Sequence, residues 1–123
     1  MASVLPALFS LSSKTAIVTG GTGGLGLAMS IALAEAGADI VSIQLPQDPH
    51  AERLATAVSN LGRNIRVFEG DVGNSGALCS IFSKIWESGV VPDILLNCAG
   101  IVRRGPAEDV PDEDIDAVSA SLR

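Results

Sequence analysis

The chain has 123 residues, a length that accommodates one domain or part of one. Its formal net charge of −6 comes without a cluster of lysines and arginines, which argues against nucleic acid and anionic membrane surfaces as partners. Hydrophobic residues make up 47% of the chain and are mostly aliphatic, a composition typical of strands covered by helices on both faces.

Short aliphatic runs recur along the chain, and each is followed by glycines or a polar loop. Such a run predicts a buried strand. The first run ends at Thr19, where a glycine-rich segment begins. The predicted strands cover residues 14–19, 39–44, 64–69 and 93–97.

Helical spacing of apolar residues follows each predicted strand. The first helix is predicted from Leu25 to a stop at Gly37, because apolar residues recur there at three- and four-residue steps. These residues are Leu25, Met29, Ala32, Leu33 and Ala36. Further helices are predicted over 49–62, from an N-terminal cap at Ser75 to Gly89, and from Pro111 onward. The acids of the last helix either stabilise its N-terminus or form a solvated face.

Alternation of strand and helix predicts parallel strands joined by right-handed crossovers. The expected fold class is α/β, a partial Rossmann-type doubly wound sheet with strand order 3-2-1-4. In such a sheet, ligands bind at the carboxyl ends of strands 1 and 4, where the winding direction reverses.

The segment 19–26 carries the strongest functional signal in the chain. It has five glycines in seven positions, follows a strand and opens a helix. Main-chain N–H groups at such a turn bind phosphate, because glycine permits close approach and the helix N-terminus is partly positive. Two registers fit, Gly21-x-Gly23-x-x-Gly26 and Gly20-x-x-x-Gly24-x-Gly26. A nucleotide-triphosphate loop would need a lysine, and none lies between Lys14 and Lys84.

The end of the second predicted strand bears on which dinucleotide is bound. The general fingerprint has an acid there to accept from the ribose hydroxyls, and this sequence has Gln44. No arginine lies in the glycine loop or just after this strand to bind a 2′-phosphate. The sequence therefore favours NAD, with NADP as the remaining alternative.

Three motifs occur together in one order: Thr19-Gly20-x-x-x-Gly24-x-Gly26, Asp71-Val72 and Asn97-Cys98-Ala99-Gly100. With them the chain resembles the N-terminal half of the short-chain dehydrogenase/reductase family. The segments 37–41 and 100–104 are most similar to its 2-deoxy-D-gluconate 3-dehydrogenase branch. The resemblance implies an oxidoreductase that uses a dinucleotide and acts on a hydroxyl or ketone, such as a sugar acid. The two cysteines, Cys79 and Cys98, lie in different predicted elements, so a reduced, cytoplasmic setting is expected.

The resemblance also implies roles for individual residues. Pyrophosphate and adenosine ribose are expected against Gly20, Thr22, Gly24, Leu25 and Gly26. Asp71 would accept from the adenine amino group beside Val72, unless it caps the next helix instead. Asn97, Ala99 and Gly100 would flank the ribose and floor the cleft, unless they only form a strand-ending turn. Cys98 replaces an asparagine usual in the family and is interpreted as a small buried hydrophobe.

The proton chemistry of the family uses a tyrosine and a lysine four residues later. This chain has no tyrosine, and its only lysines are Lys14 and Lys84. Residues 1–123 are therefore interpreted as one dinucleotide-binding domain, incomplete at its C-terminus, truncated before a fifth strand and inactive alone. A non-catalytic binding module and an unstable truncated product remain alternatives.

An incomplete sheet would leave the fourth strand with a bare edge. We expect Ile94, Leu95 and Leu96 to lose cover, so that self-association or pairing with another chain follows. Cys79, Cys98 and the single His50 have no metal-ligand spacing, so no metal site is expected. The longest apolar runs are far shorter than a membrane span, so no membrane partner is expected. The adjacent Arg103 and Arg104 raise the hypothesis that they bind a carboxylate of the substrate. The alternative is that both arginines are solvated in a loop.

Overall fold

A computed structural model describes residues 7–100 and 106–121. Its strands are β1 (Thr15–Thr19), β2 (Asp39–Gln44), β3 (Ile65–Glu69) and β4 (Ile94–Asn97). Its α-helices are α1 (Gly24–Glu35), α2 (Ala51–Asn60), α3 (Ser75–Glu87) and α4 (Asp112–Ser121). Short 3-10 turns lie at Ala7–Phe9 and Ala107–Asp109. In this part of the chain no helix is long and apolar enough to cross a membrane.

The four strands form one parallel sheet in the order β3-β2-β1-β4, which confirms the predicted topology. Ile17 of β1 lies at the centre, paired in register with Val41 of β2 and Leu95 of β4. The winding direction reverses between β1 and β4, so the carboxyl ends of these two strands, Thr19 and Asn97, lie side by side. A ligand cleft is expected at that edge.

Helices cover both faces of the sheet because successive side chains of a strand point to opposite sides. On one face, Ala16 and Val18 pack with Leu54 and Val58 of α2, which are fully buried. On the other face, Ile17 packs with the α3 stripe that contains Ile81 and Ile85. The sheet is therefore the middle layer of a three-layer sandwich.

The prediction for β4 was wrong for two of its three apolar residues. Ile94 and Leu96 are half-buried and pack against the cluster beneath α1 and α2. Leu95, on the opposite face, is 58% exposed. Among the described residues β4 pairs with β1 alone. In β4, therefore, only the face that carries Leu95 and the edge that does not pair with β1 are uncovered among the described residues.

The apolar recurrence that predicted α1 marks its buried side only in part: Leu33 packs against the core and Ala36 is buried. Gly26, Ser30 and Ala34 are buried, whereas Leu25 and Met29 are exposed. Periodicity is uninformative here because the helix is apolar all round. The side of α1 that packs against the sheet carries small residues, because small side chains let the helix approach β1 closely. A Cβ added to Gly21 would lie 3.0 Å from both Ser30 Oγ and a methyl group of Val18.

The helix α3 begins one residue differently from the prediction. Asn74, not Ser75, is its N-cap, and its side-chain oxygen accepts from the main-chain N–H of Ala77 at 3.0 Å. Asn74 has the extended backbone that an N-cap requires, while Ser75 already lies in the helix. Gly89, with φ of +85°, follows the C-terminal end as predicted.

Candidate nucleotide-binding site

A cleft of about 540 Å³ opens where the carboxyl ends of β1, β2 and β4 meet the N-terminus of α1. Every predicted site residue except Asn97 lines it. These residues are Gly20, Thr22, Gly24, Leu25, Gly26, Gln44, Asp71, Val72, Ala99 and Gly100. Asn97 is the exposed last residue of β4 and lies outside the lining, so its proposed role stays a prediction.

Two glycines of the loop are required by the fold itself. Gly20 has φ of +69°, and a Cβ there would lie 2.6 Å from the main chain of Cys98 and Ala99. A Cβ on Gly26 would overlap the carbonyl oxygen of Gly20. The turn after β1 therefore packs against the turn after β4, and these contacts favour the register that begins at Gly20.

The next two glycines face open space. A Cβ on Gly23 or Gly24 would meet no atom within 4 Å, and both residues line the cleft. Gly23 is the N-cap of α1, and as a glycine it has no side chain that could accept from the first N–H groups of the helix. The first turn of α1 also has no acidic residue. The first N–H groups of a helix lack intrahelical acceptors. This wall can thus receive an anion at the positive end of α1.

A carboxylate that the sequence analysis did not single out lies on the same cleft. Asp48, in the loop between β2 and α2, accepts from the Thr22 hydroxyl at 2.6 Å and from the His50 N–H at 2.8 Å. The Thr22 bond, against partial desolvation, holds the pKa of Asp48 below its ordinary 3.8, and His50 adds a smaller effect. Asp48 follows the glycine loop by roughly 20 residues, which is the spacing that should have drawn attention to it.

The residue predicted to contact the ribose, Gln44, is buried at the end of β2. Its side-chain oxygen accepts from the Ser42 hydroxyl at 3.0 Å, within the same strand. Gln44 lines the cleft, but its acceptor atom already has a partner inside the protein.

Asp71 lies on the cleft, two residues after the end of β3. One of its carboxylate oxygens accepts from the N–H of Gly73 at 2.8 Å, which holds the side chain in a local turn. It does not cap α3, because Asn74 does so. The alternative interpretation of Asp71 as a helix cap was therefore wrong. Its role toward adenine stays a prediction.

Cys98 is partly exposed and lines the cleft, contrary to the expectation of a buried hydrophobe. Its Sγ lies 3.9 Å from the Sδ of Met29 on α1. Lining residues outside the prediction are Gly23, Ile43, Leu45, Asp48, Gly70 and Cys98. Among residues 7–100 and 106–121, no group of three or more His, Cys, Asp or Glu is placed to hold a metal ion. Arg103 and Arg104 lie outside the described residues.

The family model for short chain dehydrogenases matches residues 14–121, nearly the whole chain. The chain belongs to the short-chain dehydrogenase family. It is 34% identical over 110 residues to 2-dehydro-3-deoxy-D-gluconate 5-dehydrogenase of Pseudoalteromonas atlantica, covering 89% of this chain and 43% of that protein. It is 39% identical over 107 residues to galactitol 2-dehydrogenase of Rhizobium johnstonii, covering 86% of this chain and 41% of that protein.

The structure of this family member agrees with solved ones. A doubly substituted variant of a Serratia marcescens short-chain dehydrogenase/reductase superimposes with a TM-score of 0.79 at 30% identity. The match covers 90% of this chain and 45% of that one. This short-chain dehydrogenase chain therefore spans less than half the length of the relatives compared here. Members of the family bind a nicotinamide dinucleotide, NAD or NADP.

Proposed function

We propose that this chain is the cofactor-binding part of an oxidoreductase that transfers a hydride between NAD and a hydroxyl or ketone substrate, such as a sugar acid. The observation that carries the proposal is the cleft that brings three separated motifs to one edge of the sheet: the glycine loop, Asp71-Val72 and Ala99-Gly100. Parallel strands end at the same edge, so residues far apart in sequence converge there.

The residues of the cleft fit a dinucleotide. Gly23 and Gly24 leave space for a diphosphate against the N-terminus of α1, with no acid in the first turn to repel it. We assign the pyrophosphate and adjoining ribose to the glycine loop, the adenine amino group to Asp71, and the cleft floor to Ala99 and Gly100. When bound, the nicotinamide supplies the hydride acceptor or donor.

The electrostatics of the cleft support NAD over NADP. The described lining residues include the carboxylates of Asp48 and Asp71 and no lysine or arginine. A 2′-phosphate would therefore enter a site without a matching cation, whereas a diphosphate is received by main-chain N–H groups.

We propose that this chain alone binds the cofactor without turnover. Its 123 residues contain no tyrosine, and its only lysines are Lys14 and Lys84. Proton transfer to the substrate oxygen needs such a group within hydrogen-bond reach.

The substrate class rests on relatives named for a sugar acid and a sugar alcohol. A cytoplasmic location is proposed from the two unpaired cysteines, and self-association from the exposed Leu95.

Fluorescence titration of the purified 123-residue chain with NADH, read beside a thermal melt, tests the binding proposal. The decisive variants are Gly23→Asp and Gly23→Asn. Both residues are good N-caps, so both should keep or slightly raise the melting temperature. The aspartate alone adds a negative charge beside the diphosphate and should weaken NADH binding by about tenfold or more relative to the asparagine variant.

A cooperative melt without NADH binding would overturn the cofactor proposal and leave only the fold. Equal affinity in the two Gly23 variants would show that NADH binds elsewhere. Ketone-dependent oxidation of NADH by the pure chain would contradict the proposed inactivity. Absence of a cooperative melt would favour the unstable truncated product.

A further inference from the structure

Two sulfur atoms of different elements lie close together beside the cleft. The Sγ of Cys98, in the turn after β4, donates to the Sδ of Met29 on α1 at 3.9 Å. The two residues are 69 positions apart in the sequence, so only the packing of α1 against this turn brings the sulfurs together. No local spacing in the sequence indicates the pair.

The position of Cys98 is fixed by two glycines. A Cβ added to Gly20 would lie 2.6 Å from the main chain of Cys98, and one added to Gly26 would lie 3.2 Å from the Cβ of Cys98. The side chain of Cys98 therefore starts against the first turn of α1. Met29 follows Gly26 by three residues and lies on the same side of that helix. The tight packing of the two turns thus sets how near the two side chains lie.

Both sulfurs are accessible from solvent. Cys98 is a free cysteine, partly exposed, and it lines the cleft. Met29 is 38% exposed. The described residues that line the cleft include no lysine or arginine, so no cationic side chain of this wall repels a cation. A dissolved cation can therefore reach the pair without unfolding of the chain.

The chemistry of the pair selects soft cations. Thiolate and thioether sulfurs prefer Cu(I), whereas calcium and magnesium prefer oxygen ligands. Metal–sulfur bonds of about 2.3 Å would span the 3.9 Å separation with a sulfur–metal–sulfur angle of about 115°. The two sulfurs can therefore bind one cation together without moving apart.

Metals that require more protein ligands do not fit this pair. A structural zinc site has four nitrogen or sulfur ligands. In residues 7–100 and 106–121, no group of three or more His, Cys, Asp or Glu is placed to hold a metal ion. Two sulfurs suit a monovalent cation of low coordination number better than a divalent one.

Binding of Cu(I) here is an exchange with a proton. The thiol of Cys98 donates to Met29, so the thioether sulfur already faces the hydrogen that the cation replaces. The S–H bond breaks, its proton goes to water, and a sulfur–copper bond forms without any change in oxidation state. One positive charge replaces another, so the positive N-terminus of α1 does not oppose the exchange.

We propose that Cys98 and Met29 form a binding site for one soft monovalent cation of the Cu(I) type at the wall of the cleft. The inference goes beyond the proposed function and does not depend on it, because it needs only the two sulfurs and the packing that positions them. It predicts that the two cysteines differ. Cys98 binds Cu(I) together with a second sulfur, whereas Cys79, an exposed residue of α3, binds it as a single thiol.

The test measures the transfer of Cu(I) from its coloured complex with the chelator ferrozine to the purified chain, without oxygen and without added thiols. Cys79→Ser keeps both sulfurs of the site. Cys98→Ser keeps the single exposed thiol of Cys79 and is the matched control. Cys79→Ser should bind one Cu(I) per chain, at least about tenfold more tightly than Cys98→Ser.

Met29→Leu, made in the Cys79→Ser protein, tests the second sulfur. Leucine is close to methionine in volume and residue 29 is partly exposed, so the melting temperature should change little. The affinity for Cu(I) should fall by at least about tenfold, to the level of a single thiol. A thermal melt of each protein accompanies the titrations.

The outcomes separate this inference from the proposed function. Equal Cu(I) affinities of Cys79→Ser and Cys98→Ser would overturn the site, and so would an unchanged affinity after Met29→Leu. One Cu(I) for every two chains would show that thiols of two molecules share the cation, and would also overturn it. A chain that binds Cu(I) as expected but does not bind NADH would overturn the proposed function alone.

Discussion

Gly20 at the end of β1 lies directly against the main chain of Cys98 beyond the end of β4. A Cβ on Gly20 would be 2.6 Å from the carbonyl oxygen of Cys98. The two turns that floor the cleft are therefore in contact through a residue that has no side chain. This contact couples the shape of the glycine loop to the position of β4.

We expect Gly20→Ala to lower the free energy of unfolding by about 3 kcal/mol or more, because both the steric overlap and the positive φ are unfavourable. Gly62→Ala is the matched control. Gly62 has nearly the same φ, +73°, but nothing lies within 4 Å of its added Cβ. Urea denaturation should give a loss of about 1–2 kcal/mol for that variant. Equal losses would contradict the close approach of the two turns.

The Thr22–Asp48 bond should make part of the stability dependent on pH. The pKa of Asp48 is lowered in the folded chain, so the contribution is present above 3.8, the unfolded value, and is lost as pH falls through the lower folded value. Thr22→Val should therefore cost about 1 kcal/mol at pH 7. Melts of both proteins across pH 2–7 should show this difference shrinking in acid. A difference that is constant with pH would exclude an ionised acceptor.

Two buried serines should respond in opposite directions to the same substitution. Ser30 and Ser42 are both fully buried, but Ser30 Oγ has no hydrogen-bond partner among the described residues, whereas Ser42 donates to Gln44. We expect Ser30→Ala to raise the free energy of unfolding by up to about 1 kcal/mol and Ser42→Ala to lower it by about 1 kcal/mol. Changes of the same sign in urea denaturation would contradict this contrast.

The N-terminus of α3 offers a comparison of neighbouring positions. Asn74→Ala removes the acceptor of the Ala77 N–H and should cost about 1 kcal/mol. Ser75→Ala replaces an exposed residue in the first turn and should change stability by less than about 0.5 kcal/mol. Thermal melts of the two variants decide which residue is the cap. A larger loss of stability in Ser75→Ala than in Asn74→Ala would show that Ser75 is the N-cap, as the sequence had predicted.

Prediction from the sequence succeeded where a local pattern has one physical meaning. The runs that became β1 to β4 are aliphatic and end at glycines or polar residues, and their alternation with helices indicates a parallel sheet. The order 3-2-1-4 was expected from the Rossmann-type fold class. For α1 it predicted the helix but not which side is buried, because a helix that is apolar on every side has no periodic signal for its buried face. It failed for Ser75, because the choice between two adjacent capping residues depends on backbone angles.

The same division applies to the cleft. The glycine loop, Asp71 and Ala99 were predicted correctly as neighbours, because parallel strands bring their carboxyl ends to one edge. Asp48 was missed although it follows the glycine loop by roughly 20 residues. Its hydrogen bond to Thr22, 26 residues earlier in the chain, is visible only in the structure. Loop residues have no periodicity that reveals such a partner.

The sequence by itself determined the alternation of strands and helices, the parallel α/β sheet and the glycine-rich turn after β1, because hydrophobic spacing and glycine placement are local properties. Only the tertiary structure decided which side chains face the cleft, that Ile94 and Leu96 are covered while Leu95 is exposed, and that Asp48 is anchored beside the glycine loop. Those features depend on contacts between segments distant in sequence, and such contacts exist only once the sheet and its helices have packed.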